Sequence, residues 1–151
     1  MAPPYGKMVL LKEKPLILLG AYWKMLAVNA IALTVLGVCV SGMAPAKPSL
    51  KVMSLVAHAA TLATLLLAGL TDPGIFKPVA EKKDELWTWS DQGKSYRPPG
   101  VVYCRESQVL IDGYDIYCPW IGTVVGRKNS VYFRAFRECL TLTVLVDGFV
   151  V

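Results

Sequence analysis

The chain has 151 residues, of which 54% are hydrophobic, with 16 basic against 11 acidic residues and a formal net charge of +5. Apolar residues at that level fit one small compact domain or a small membrane protein, and their distribution selects the second. The charge needs no nucleic acid to explain it, because anionic lipid head groups suffice as partners for lysines and arginines beside a membrane.

In chain order, residues 1–24 are expected to form a cytosolic arm, with residues 8–22 an interfacial lead-in broken at Pro15. Met25 to Ala44 is then uncharged, with Asn29, Thr34 and Ser41 its clearly polar members. A run of this length matches a hydrocarbon core of roughly 30 Å. A signal peptide is the less fitting reading of this run and of Ala44-Pro45-Ala46. Its lead-in and its apolar core are too long, and a second run follows at once. Residues 45–51 are read as a lumenal turn. Val52 to Leu70 is again uncharged; Ser54, Thr61 and Thr64 can bond to their own helix, and His58 is its one ionisable residue. Soluble helices of this length carry a polar face, which neither run has. Both are therefore predicted to be transmembrane helices.

Residues 71–138 hold ten of the basic residues, which places this segment and the arm on the cytosolic side. Asp72-Pro73-Gly74 and Arg97-Pro98-Pro99-Gly100 are breaks. Trp87 and Trp89 suit the head-group level, and Val101–Tyr103 and Gln108–Ile111 suit short strands in a segment of otherwise little regular structure. Cys139 to Val151 is apolar but only 13 residues long, and is read as the start of a third span cut short, with Asp147 facing other helices. The expected fold is thus an α-helical polytopic membrane protein of two complete spans, a cytosolic domain and the beginning of a third.

Cys39, Cys104, Cys118 and Cys139 do not make a disulfide framework, since two belong to spans and two to a reducing compartment. Before the third run the cytosolic segment offers only Cys104 and Cys118, and no histidine, to a metal. That set cannot make a tetrahedral zinc site.

Thr71-Asp72-Pro73-Gly74, Arg97-Pro98-Pro99, Tyr103-Cys104, Asp115-Ile116-Tyr117-Cys118-Pro119-Trp120, Gly126-Arg127-Lys128-Asn129 and Phe133 occur in this order between the apolar runs. Together they resemble the DHHC-type protein S-acyltransferases, or palmitoyltransferases, in a degenerate form. The resemblance implies a fourth span and a tail beyond Val151. It also implies two-step transfer of a long acyl chain from acyl-CoA, through a thioester on Cys118, to cysteines of substrate proteins at the cytosolic membrane face. On it, Asp115 matches the acid that orients the family's histidine, Trp120 lies beside the acyl site, and Arg127 and Lys128 meet CoA phosphates. Asp72, Pro73, Gly74 and Asn129 match structural motifs. Acyl-CoA is a substrate and no tightly bound cofactor is expected. Partners are membrane lipids and proteins with acceptor cysteines, in an endomembrane such as ER or Golgi or in the plasma membrane.

The departures matter equally. Ile116 stands where the family has its general base, and isoleucine takes no proton. The family's zinc-ligand positions fall on Ser90, Gly93, Tyr103, Cys104, Ser107, Leu110, Tyr117 and Val124, of which only Cys104 keeps a ligand type. Free thiols are only a few per cent thiolate at neutral pH, and a positioned base is worth about 10²- to 10⁴-fold. Two readings follow: a slow acyltransferase, or a non-catalytic relative acting as a membrane scaffold.

Overall fold

The computed structural model describes residues 9–10, 18–43 and 45–150. Most of the expected interfacial lead-in, including Pro15, lies outside the described residues. Within it, β1 (Val9–Leu10) pairs antiparallel with β2 (Leu18–Leu19).

Helix α1 runs Trp23–Met43 and α2 runs Pro48–Leu70, close to the two predicted spans. The second begins four residues before Val52, so the expected turn at 45–51 is shorter than predicted. Pro48 sits at the first helical position, where its missing N–H costs nothing and its fixed φ suits the helix. Both helices are long and apolar enough to cross a membrane, and only 17% and 33% of their apolar windows are buried within the chain. A soluble core helix of this length would be mostly covered by protein.

Helix α3 spans Ser130–Val150, nine residues earlier than the expected start at Cys139. Its first turns carry exposed Arg134, Arg137 and Glu138, so they are not part of an uncharged run. α2 packs against both α1 and α3. Its buried residues Ser54, His58, Thr61, Leu65 and Ala68 recur at helical spacing on one face. Asp147 of α3 meets that face, as expected of an interior polar residue: the Ser54 hydroxyl donates to its Oδ1 at 2.7 Å, and His58 Nε2 lies 3.5 Å from its Oδ2. Thr61 and Thr143 share a hydroxyl–hydroxyl bond of 2.8 Å one step along the same seam. His58 Nδ1 lies 3.0 Å from the Ser54 carbonyl oxygen.

The segment between α2 and α3 has more regular structure than predicted. β3 (Ile75–Phe76), β7 (Val109–Asp112) and β6 (Val101–Cys104) form an antiparallel sheet in the spatial order β3-β7-β6. β4 (Thr88–Ser90) pairs with β5 (Ser95–Arg97), and β8 (Ile116–Cys118) with β9 (Thr123–Val125). The two strands read from sequence are β6 and β7; the shorter ones are too brief to show period-two alternation. Trp87 and Trp89 pack within this segment, edge-on against Phe76 at 5.9 Å and Tyr96 at 5.0 Å between ring centroids. Leu26, Leu65, Ala68, Ile121, Val125 and Phe136 make one buried cluster where the three helices meet the segment. Cys104, Val109, Ile111 and Val124 make a second inside it.

Candidate functional site

Strand β8 carries three consecutive residues of the motif, and side chains alternate across a strand. Tyr117 accordingly packs against the second cluster and Cys118 against the first. Ile116, two residues from Cys118, shares its face and is 49% exposed. Asp115 is exposed; its backbone N–H donates to Val125 O at 3.0 Å, and among the described residues its carboxylate makes no hydrogen bond or ion pair.

Cys118 is a free, half-buried thiol at the end of β8. The chain then turns through the 3₁₀ helix Pro119–Ile121, started by proline and ended at Gly122 in the left-handed conformation with φ 70°. A side chain at Gly122 would be strained by that φ and would bring its Cβ to 2.8 Å from Tyr22 O. Ile121 is fully buried between the helices, while Trp120 is 64% exposed.

The Asp-Pro-Gly turn and the Gly126–Asn129 stretch form a second locus. Asp72 Oδ1 accepts from the N–H groups of Gly74 at 2.8 Å and Ile75 at 2.9 Å, and its Oδ2 accepts from Lys128 Nζ at 2.6 Å. Burial pushes the Asp72 carboxyl upward, but the Lys128 bond, the two N–H groups and the Lys128 charge outweigh it and hold the carboxyl below its ordinary value. Arg127 Nε pairs with Asp112 Oδ2 at 2.9 Å. Both cations expected to be free for phosphate are therefore ion-paired. Asp112, at the end of β7, carried no signal in the sequence. Among the described residues neither cation makes a hydrogen bond or ion pair with Cys118.

Asn129 is fully buried and uses its whole amide. Oδ1 accepts from Gly126 N at 2.8 Å, while Nδ2 donates to Ala68 O at 3.1 Å and Val124 O at 3.0 Å. It thereby ties the end of α2 to β9 and to the start of α3. Asn29, read only as a polar residue in an apolar run, donates from Nδ2 to Trp120 O at 2.8 Å.

The zinc-ligand positions implied by the resemblance do come together, but as packing. Tyr103 and Leu110 are register partners, and a Cβ on Gly93 would lie 2.9 Å from the Leu110 side chain, so leucine fills that space. Val124 is the register partner of Tyr117 and packs on Cys104 in the second cluster. Cys104 is 1% exposed, its thiol 3.4 Å from Glu106 Oε2 and pushed up by burial, which makes it a poor acylation site. The Tyr117 hydroxyl and Ser107 Oγ are buried without hydrogen-bond partners among the described residues. Burial also raises the Tyr117 phenol further above neutrality, so it cannot serve as a base. Tetrahedral zinc needs four N, O or S donors, and these residues do not fit it. Among the described residues no group of three His, Cys, Asp or Glu gathers.

A family model described as DHHC palmitoyltransferase matches residues 84–150. Palmitoyltransferase ZDHHC5-B of Danio rerio is 28% identical over 109 residues, which is 59% of this chain and 17% of that protein. Palmitoyltransferase ZDHHC5 of Canis lupus familiaris is 27% identical over 134 residues, 76% of this chain and 18% of that protein. Its Homo sapiens counterpart is 26% identical over 122 residues, with 68% and 17% covered. The chain spans less than a fifth of the length of these curated relatives. Over a region that contains Asp115 and Cys118, and behind two membrane-length helices, the chain is thus similar to the DHHC-type palmitoyltransferases.

Proposed function

We propose that the chain is the acyl-transfer region of a protein S-palmitoyltransferase, embedded in an endomembrane or the plasma membrane. Its arm and residues 71–138 are cytosolic, and the short connection between α1 and α2 is lumenal. The observation that carries this is the seat of Cys118, whose thiol packs on the apolar cluster formed where all three helices meet the connecting segment. A long acyl chain can lie among apolar surfaces there while the CoA nucleotide stays in water.

In the first step the Cys118 sulfur attacks the thioester carbonyl of acyl-CoA. The bond to CoA sulfur breaks, and the proton leaving Cys118 ends on the CoA thiol. In the second, an acceptor cysteine of a substrate protein displaces Cys118 in the same way. Both steps exchange one thioester for another, so proximity alone accelerates them. Arg127 and Lys128 serve the CoA phosphates in this reading. Their ion pairs, with cationic side chains 68% and 60% exposed, are of the weak surface kind, so a phosphate can replace the carboxylates at small cost. With Ile116 in the base position, the expected reaction is slow.

Membranes holding the full-length chain, incubated with an alkyne-tagged palmitoyl-CoA, are expected to show hydroxylamine-sensitive label that is lost in Cys118→Ser. An unlabelled wild type would rule out acyl transfer and leave the scaffold reading.

Zinc loss is part of the same proposal, supported by Leu110 and Val124 filling the ligand positions. Chelator treatment of these membranes is then expected to leave Cys104 unreactive to maleimide. Cys104 becoming reactive on chelation would show that a metal had held it.

We also read the part of α3 beyond Glu138 as the start of a third span, supported by the Ser54–His58–Asp147 seam. Its one charged residue turns onto α2, whereas Leu142, Val144, Leu145 and Phe149 are exposed for lipid.

A further inference from the structure

The turn after Cys118 is held through its backbone. Its three successive carbonyls each meet a helix or the segment leading into one. Trp120 O accepts from Asn29 Nδ2 at 2.8 Å. Ile121 O faces Gly69 of α2 so closely that a Cβ there would stand at 2.7 Å. Gly122 O accepts from Tyr22 N at 3.1 Å, immediately before α1. The turn's own closing bond, Gly122 N to Pro119 O at 3.0 Å, leaves the Trp120 carbonyl out.

Asn29 is the only side chain among these three contacts, and its position is unusual. It is the one amide in a helix otherwise built for lipid, where a carboxamide without a partner is costly. Its donor goes not to its own helix but to a carbonyl two residues beyond the candidate nucleophile and 91 residues away in sequence. Threonine at position 34, by contrast, satisfies itself on Ala30 O. Cys118 is bracketed by this contact on one side and by the β8–β9 ladder on the other, with Thr123 its register partner.

We infer that Asn29 is a positioning residue for Cys118, fixing the turn so that the thiol faces the helix junction at a set depth. Only the acylation readout below rests on the acyl-transfer reading; the thiol's placement is measured independently.

The test uses the full chain in membranes. Alkylation of Cys118 and Cys104 by N-ethylmaleimide is followed peptide by peptide by mass spectrometry, alongside hydroxylamine-sensitive capture from palmitoyl-CoA. Asn29→Leu keeps the shape and removes the donor. Asn29→Gln keeps a donor, and Asn29→Met is its nearly isosteric donor-free partner. In the Leu and Met variants Cys118 alkylation is expected to rise about fivefold, the factor that a single lost hydrogen bond represents. Acyl capture at saturating acyl-CoA is expected to fall roughly tenfold, since displacement of a reacting atom costs rate more than binding. Cys104 stays protected, and Gln lies closer to wild type than Met on both readouts.

Leu and Met variants that alkylate at the wild-type rate with Cys104 protected would overturn the inference. So would exposure of Cys104 in both, which would make Asn29 a folding residue. Should no variant, wild type included, capture acyl groups while Cys118 alkylation still separates donors from non-donors, the acyl-transfer reading fails and the positioning role stands.

Discussion

Ile116→His is expected to raise the rate of Cys118 acylation by about 10²- to 10⁴-fold, the usual worth of a positioned general base. The reason is geometric. Residues 116 and 118 lie two apart on β8, on one face of the strand, about 7 Å apart along it. An imidazole spans that gap. Ile116 is 49% exposed and lies in neither buried cluster, so the substitution removes no core contact and leaves no buried donor unpaired. Asp115, adjacent and without a partner among the described residues, is free to orient the ring. Single-turnover labelling with palmitoyl-CoA, wild type against variant, reads the effect. Equal rates would show that the missing base is not what limits the thiol.

Asn129→Leu is expected to destabilise the folded chain by about 3–5 kcal/mol, because three buried backbone groups lose their partners together and each unpaired group costs about 1–3 kcal/mol. The groups are Gly126 N–H, Ala68 C=O and Val124 C=O. They belong to the turn between β9 and α3, the end of α2 and β9, so one side chain joins three pieces of the fold. Leucine has similar volume, which makes the loss one of hydrogen bonds and not of packing. The temperature at which the buried Cys104 thiol becomes reactive to maleimide, measured in detergent micelles, is expected to drop by many degrees. A shift of a degree or two would mean that water or local rearrangement satisfies the three groups.

Much of the architecture was legible before any tertiary contact was known. Two long uncharged runs can be stable only as membrane-length helices, and the boundaries of α1 fell within two residues of expectation. β6 and β7 were visible because β-branched and aromatic residues cluster between turn signals. The start of α3 was not visible. Its first turns are charged and exposed, so they lack the apolar signal that marks a span. Strands of two or three residues, such as β3 and β8, are too short for alternation to register and exist because partners complete their ladders.

The site divides along the same line. Residue chemistry is local, so the sequence alone determined that Ile116 cannot accept a proton and that Cys118 stands in a stretch resembling the palmitoyltransferase motif. Contacts between distant residues are not local, and only the tertiary structure decided them. Lys128 is engaged by Asp72, 56 residues away, and Arg127 by Asp112. Leu110 and Val124 are packing residues at positions where the resemblance places zinc ligands. Asn29 reaches the turn after the thiol across 91 residues. Folding places such partners through the sum of many weak contacts, and no short stretch of sequence carries that sum.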